Sequence, residues 1–175
     1  MRSLGRNASK AGQTILSKYT QIEAALVEWL ERHQLLLARL ALVVIYVWFG
    51  ALKPFGVSPA NAMVRSLQAR MLPFLSFDHF IILFALFEML IGILFMIPKA
   101  TRVAIVLFAA HILTATMPLL LLPEMTWQRL LVPTMDGQYI IKNVLLIALV
   151  SNVGGGLTRG MGRSMLAPGI NRRAA

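Results

Sequence analysis

Three ionisable residues, Glu88, His111 and Lys142, lie inside apolar stretches of the sequence and are the first candidates for chemistry. A charge at the centre of a bilayer costs about 2.5–3.5 kcal/mol on insertion scales, so such residues usually face other helices and have partners there. A carboxyl group and an imidazole are also what a two-electron, two-proton carrier such as a quinone needs from its site. We predict a Glu88–His111–Lys142 cluster, either as a structural link between helices or as a ligand site.

Five further polar or aromatic residues lie in the same stretches or at their ends. Asn143, in the fourth stretch, is another candidate for ligand binding. Arg39 and Lys53 are predicted to anchor the inner and outer ends of the first stretch by extending towards water, with a ligand role as the alternative. Trp48 and Tyr46 are predicted to pack or to lie at the interface, and Trp48 is also a ligand-binding candidate.

Four apolar stretches position these residues, and they cover residues 35–52, 80–97, 103–122 and 137–153. At about 1.5 Å per residue, a helix over each of the first three is roughly 27–30 Å long, enough to cross a hydrocarbon core of about 30 Å. The most apolar part of the fourth stretch, residues 139–153, reaches across if residues 135–138 join it, or if the bilayer thins locally. We predict an all-α fold, an integral membrane four-helix bundle with flanking amphipathic interfacial helices.

Small and helix-bending residues inside these stretches have predicted structural roles. Gly50 and Gly92 have no side chain beyond a hydrogen atom, so they allow two helices to approach closely. Pro118 bends the third helix, and the hydroxyl groups of Thr114 and Thr116 satisfy the carbonyl groups that the bend releases.

The composition favours a membrane location. The 175 residues are 58% hydrophobic and 14% charged, with a mean hydropathy of +0.72, whereas soluble domains carry about 25% charged residues. The lipid bilayer is therefore a predicted partner.

The chain has no cysteine, which excludes disulfides, thiolate metal ligands and thiol redox chemistry. No metal site is predicted. The net charge of +10 does not indicate nucleic acid binding, because the basic residues lie between apolar blocks without a nucleic-acid-binding signature.

Most of the 17 basic residues lie on one side of the predicted membrane. They occur in the N-terminal segment, in the hairpin between the second and third stretches and in the C-terminal tail, and they are Arg2, Arg6, Lys10, Lys18, Arg32, Arg39, Lys99, Arg102, Arg159, Arg163, Arg172 and Arg173. Lysine and arginine are enriched on the cytoplasmic side of membrane proteins. Both termini and the hairpin are therefore predicted to be cytoplasmic.

Three segments outside the apolar stretches have predicted roles of their own. Residues 1–34 are predicted to form a basic cytoplasmic tail and an amphipathic interfacial helix over residues 20–33. A second amphipathic helix is predicted to begin near Ser58 and to lie along the outer surface. Residues 154–175 are predicted to be another basic cytoplasmic tail, and the three glycines that open it predict the end of the fourth helix.

The chain resembles the DoxX-like superfamily of membrane proteins in four motifs that occur in the same order. The motifs are WFGALKPF at Trp48–Phe55, FEMLIG at Phe87–Gly92, the Thr116-Met117-Pro118 step and GQYIIKN at Gly137–Asn143. The resemblance covers residues 35–153 and is closest to a branch of bacterial inner-membrane proteins associated with resistance to reactive chlorine. The last motif is the most specific of the four.

The resemblance implies a four-helix membrane fold and a set of family positions. Those positions are Trp48, Gly50, Lys53, Glu88, Gly92, Pro118, Gly137, Lys142 and Asn143. Some members of the superfamily are subunits of thiosulfate:quinone oxidoreductases, and others are tied to oxidative stress through partner proteins. This chain departs from the pattern at Pro54, where the branch prefers an aromatic residue, and at Asn143, where many members have aspartate. The asparagine removes a possible acid from that position.

Three functions from different classes remain open on these residues. The leading hypothesis is an accessory subunit of a redox or oxidative-stress system, not catalytic alone, which works with a redox partner protein or as a homo-oligomer. Its polar cluster would bind a quinone headgroup or a partner helix. The second hypothesis is a small proton-coupled transporter in which Glu88 and His111 relay protons. The third is a structural membrane scaffold without a ligand.

Overall fold

The protein is an all-α, multi-pass membrane protein, as the sequence predicts. The computed structural model describes the backbone of residues 2–165 and the side chains of residues 16–156. Four helices are long and apolar enough to cross a membrane, and we number them as spans one to four: Leu16–Leu52, Phe77–Met96, Pro98–Leu121 and Met135–Gly156. Only 22–33% of the most apolar part of each helix is buried inside the protein. The rest of each helix surface is therefore available to lipid.

The chain divides into two compact units, Met1–Leu37 and Ala38–Ala175, and its elements follow one another with short connections. In chain order they are α1 Arg2–Val43, a π-helical turn Val44–Trp48, α2 Phe49–Leu52, α3 Asn61–Met71, α4 Phe77–Met96, a 3₁₀ turn Pro98–Ala100, α5 Thr101–Thr116, α6 Pro118–Leu121, α7 Pro123–Thr126, β1 Trp127–Arg129, β2 Val132–Pro133, α8 Met135–Ile141 and α9 Asn143–Met165.

Two predicted helix boundaries are wrong. The interfacial helix expected over residues 20–33 is not separate, because α1 runs from Arg2 to Val43 without interruption, and no glycine or proline occurs in residues 20–43 to break it. The glycines after Val153 do not end the last helix, since α9 continues to Met165. Glycine lowers helix stability by only about 1 kcal/mol relative to alanine. An unpaired backbone group in an apolar environment costs several kcal/mol, so the helix continues through them.

Part of the sequence prediction falls outside the described residues. The charged side chains expected at the two ends of the chain lie beyond the described side chains, and they are Arg2, Arg6, Lys10, Arg159, Arg163, Arg172 and Arg173. The last residues of the predicted C-terminal tail, 166–175, lie outside the described backbone as well.

Spans one and two approach each other closely at two glycines. A methyl group on Gly50 would lie 3.1 Å from Cγ of Met89 and 3.2 Å from the carbonyl oxygen of Ala85. A methyl group on Gly92 would lie 2.8 Å from Cγ2 of Val47, closer than real side chains come. The π-helical turn and α2 therefore lie directly against α4, and this contact brings the polar groups of spans one and two together.

A compact cap of short elements lies at one end of spans three and four. Its buried centre is formed by Met63, Leu122 and Ile140, and Leu67, Leu119 and Met125 pack against them. A two-stranded antiparallel hairpin, β1 with β2, pairs Trp127 with Pro133. The carbonyl oxygen of Thr126 lies so close to Gly137 that a methyl group there would overlap it. The cap thus fixes where span four begins.

Candidate functional site

Glu88 is buried in the middle of α4 and is bound on both sides. Its side chain is 9% exposed, and the Lys53 ammonium donates to Oε2 over 2.5 Å. Nε2 of His111 lies 3.0 Å from Oε1. The side chains of Lys53 and His111 are only 6% and 8% exposed. A buried carboxylate is tolerated in a low-dielectric environment when it is paired and hydrogen-bonded in this way.

The chain of polar contacts continues from His111 to Tyr46. Nδ1 of His111 lies 3.0 Å from the Tyr46 hydroxyl group. A carboxylate beside an ammonium group accepts hydrogen bonds only, so Nε2 of the imidazole carries the hydrogen towards Glu88. In the neutral imidazole Nδ1 then accepts from Tyr46, and every polar group in the set has a partner. We call Lys53, Glu88, His111 and Tyr46 the Glu88 network.

Three different helices contribute to the Glu88 network. Tyr46 lies in the π-helical turn, and Lys53 ends α2 seven residues later, about 10 Å further along the helix axis. Glu88 belongs to α4 and His111 to α5. π-helical turns are rare, and they occur frequently at functional sites. The network therefore joins spans one, two and three.

Phe84 covers the network on one side. Its ring centroid lies 5.6 Å from that of His111 with an angle of 24° between the planes, and Nζ of Lys53 lies 5.6 Å from the same ring. Phe80 stacks on Phe84 in turn, at 5.6 Å and 13°. Phe84 is half-buried, whereas the two polar groups beside it are buried. Phe84 therefore contacts two members of the network with one ring.

The cation that pairs with Glu88 is Lys53, and not Lys142 as the sequence predicts. Glu88 and His111 are together as predicted, but Lys142 is exposed and its Nζ lies 5.1 Å from the ring of Tyr139. Lys142 ends α8 and precedes α9, so its side chain does not project from the middle of one continuous helix. Asn143 is half-buried, and its side chain makes no hydrogen bond to the described residues. Lys53, which was predicted to extend towards water, takes the place of Lys142.

Arg39 is also buried instead of extending towards water. It is 7% exposed, and its guanidinium group donates to the carbonyl oxygen of Phe95 and, over 3.0 Å, to Oγ1 of Thr101. Thr101 donates in turn to the carbonyl oxygen of Pro98. The last carbonyl groups of a helix have no partner within it, and a basic side chain at that end satisfies them. Arg39 therefore fixes the turn between α4 and α5 and does not belong to the Glu88 network.

The remaining predicted residues do not contact the network through polar atoms. Trp48 is 63% exposed on the outside of the bundle. Pro118 is buried at the first position of α6, where it begins a new helical segment after α5.

Two members of the site were missed by sequence reasoning: Tyr46 was assigned to packing, and Phe84 was not singled out. The spacing of seven residues between Tyr46 and Lys53, about two helical turns, is the one signal that relates them.

The network has the composition of a site that holds protons or binds a polar headgroup. A carboxyl group held between an ammonium group and an imidazole can exchange one of these hydrogen-bond partners for a polar ligand. Among the described side chains, no group of three or more histidine, aspartate or glutamate residues could hold a metal ion. Comparison with family models, with curated proteins and with solved structures finds no match for this chain.

Proposed function

We propose that this chain is a DoxX-like accessory subunit of a redox or oxidative-stress system in a bacterial inner membrane. In this proposal the Glu88 network binds the headgroup of a quinone. The observation that supports it most strongly is the buried Glu88, bound by Lys53 and His111 behind the ring of Phe84. The four sequence motifs of the resemblance support the family.

The residues of the network match the chemistry of a quinone headgroup. A quinone is a flat ring with carbonyl oxygens that accept hydrogen bonds, and it carries two electrons and two protons. The Lys53 ammonium has hydrogens beyond the one that it donates to Glu88, and these are donors suited to such oxygens. Phe84 and Phe80 already form a stack of flat rings. The chain has no cysteine, so in this proposal electrons are exchanged through a partner protein. The network holds the headgroup and positions protons beside it.

The proposed orientation places both termini in the cytoplasm. It rests on the concentration of basic residues in the N-terminal segment, in the C-terminal tail and at Lys99 and Arg102 in the turn between spans two and three. Lys53 lies at the opposite end of span one from that side. The network would then face the periplasmic half of the membrane, and a quinone would enter from that leaflet.

Binding of a short-chain quinone to the purified protein tests this proposal. Glu88→Gln keeps the shape of the side chain but removes its charge, and Tyr46→Phe removes one hydroxyl group. We expect each variant to weaken binding about tenfold or more, because Glu88→Gln removes the charge that holds Lys53 in place and Tyr46→Phe removes the hydroxyl group that orients His111. The measurement is a titration of decyl-ubiquinone in nanodiscs, followed by quenching of intrinsic tryptophan fluorescence.

Lys142→Met is the matched control for this titration, because it removes an exposed charge outside the network. It should leave quinone affinity unchanged. Circular dichroism establishes that each variant is folded. If folded Glu88→Gln and Tyr46→Phe both bind the quinone as tightly as the unmodified chain, the network is not the headgroup site.

A proton-coupled carrier is the second candidate, and the unbroken contacts from Tyr46 through His111 and Glu88 to Lys53 favour it. Such a chain of groups can pass protons along its length. A carrier would produce proton uptake in proteoliposomes that Glu88→Gln abolishes, and it would show no quinone binding. A scaffold would show neither property.

A further inference from the structure

The hairpin between spans three and four ends in two exposed leucines. Leu130 and Leu131 are 89% and 80% exposed and form the turn between β1 and β2. Leu131 has a φ of +59°, a conformation that glycine, asparagine and aspartate adopt far more readily than leucine. Leucine is therefore unfavourable for the backbone conformation of this turn. The two leucine side chains do, however, give the hairpin an exposed apolar tip.

The hairpin lies at the level where the spans leave the hydrocarbon. The indole nitrogen of Trp127 donates to the carbonyl oxygen of Leu119 over 2.9 Å, and Leu119 belongs to the last turns of span three. Span four begins at Met135, four residues after Leu131, a distance of at most about 14 Å even in extended chain. Tryptophan is enriched at this level of membrane proteins.

The base of the hairpin is fixed, so its tip has a defined position. Oγ1 of Thr134 donates to the carbonyl oxygen of Met125 over 2.6 Å, and its backbone nitrogen donates to Thr126 over 2.9 Å. Gly137 packs directly beneath Thr126. No side chain in the described part of the chain covers either leucine, as their exposure shows.

We propose that this hairpin inserts Leu130 and Leu131 into the nearer lipid leaflet, with Arg129 at the phosphate level. Exposed apolar side chains also occur at the ends of both neighbouring spans, where Leu120 is 84% and Met135 is 66% exposed. Arg129 is exposed and forms no ion pair with the described side chains, and its charge complements a lipid phosphate. An apolar tip close to the exposed apolar ends of two spans, with one cation beside it, fits a phospholipid.

Single cysteine variants test this insertion, because the natural chain contains no cysteine that would react as well. Leu130→Cys and Leu131→Cys are spin-labelled in the full chain, which is reconstituted in vesicles of phosphatidylcholine and phosphatidylglycerol. Gln128→Cys, at an exposed position in β1, is the matched control. The measurement compares how often each label collides with oxygen, which concentrates in lipid, and with a water-soluble nickel chelate.

We expect labels at 130 and 131 to collide several-fold more with oxygen and several-fold less with nickel than the label at 128. Replacing Arg129 by glutamine in the same variants should raise nickel access at the tip, and more so in vesicles that contain phosphatidylglycerol. Nickel access at 130 and 131 equal to that at 128 would overturn the proposal. Strong dipolar broadening between labels would also overturn it, since the tips would then meet in a contact between two copies.

Discussion

Replacing Glu88 by leucine is expected to lower the free energy of unfolding by about 3–5 kcal/mol. The substitution keeps most of the side-chain volume but leaves the Lys53 ammonium buried beside Phe84 without its counter-charge. His111 loses its carboxylate partner at the same time. Removal of one partner from a buried ion pair is costly because the remaining charge has neither water nor an opposite charge nearby.

The measurement is equilibrium unfolding of the purified protein in mixed detergent micelles, with helix content as the signal. Glu124→Leu is the matched control, since Glu124 pairs with Arg70 over 2.7 Å while both side chains are more than half exposed. An exposed ion pair contributes at most about 1 kcal/mol. If Glu88→Leu is no more destabilising than Glu124→Leu, Glu88 is not buried against Lys53 and His111.

Gly137→Ala is expected to be the second most damaging change, at about 1–3 kcal/mol or more. The added methyl group would overlap the carbonyl oxygen of Thr126 and lie 3.1 Å from Cβ of Pro133. The carbonyl oxygen of Thr126 is a backbone atom. It cannot move freely, because the Thr126 hydroxyl group donates to the carbonyl oxygens of Pro118 and Leu122. The cap would have to separate from the beginning of span four.

Gly155→Ala is the control for this substitution. Gly155 lies in α9, and among the described residues a methyl group there would have no neighbour within 4 Å outside the backbone of its own helix. Alanine favours a helix over glycine by about 1 kcal/mol, so this variant should unfold at the same or a slightly higher denaturant concentration. Equal stability of the two alanine variants would show that Gly137 and Thr126 are not in contact.

Span positions were predictable from the sequence because they depend on length and apolar content alone. The pairing of Glu88 with His111 was predictable as well, since both lie at similar depth in neighbouring helices and a buried charge needs a partner. The network as a whole required more information. Depth along a helix follows from residue number, whereas the direction in which a side chain points depends on the rotation of the helix.

Lys53 and Lys142 illustrate this limit. Both lie near the same end of their spans, and depth alone does not separate them. The π-helical turn at Val44–Trp48 changes the rotation of everything that follows it in span one, including Lys53. A break between α8 and α9 changes the direction of Lys142. Neither irregularity has a proline at its centre or another local signal in the sequence.

Lys53, and not Lys142, neutralises Glu88 inside the bundle. Two double-mutant cycles test it most directly, one combining Glu88→Leu with Lys53→Met and the other combining it with Lys142→Met. We expect a coupling energy of about 1–3 kcal/mol for Lys53, because removing both charges together spares the cost of leaving one unpaired. For Lys142 it should lie below about 0.5 kcal/mol. A large coupling for Lys142 with none for Lys53 would contradict the arrangement described here.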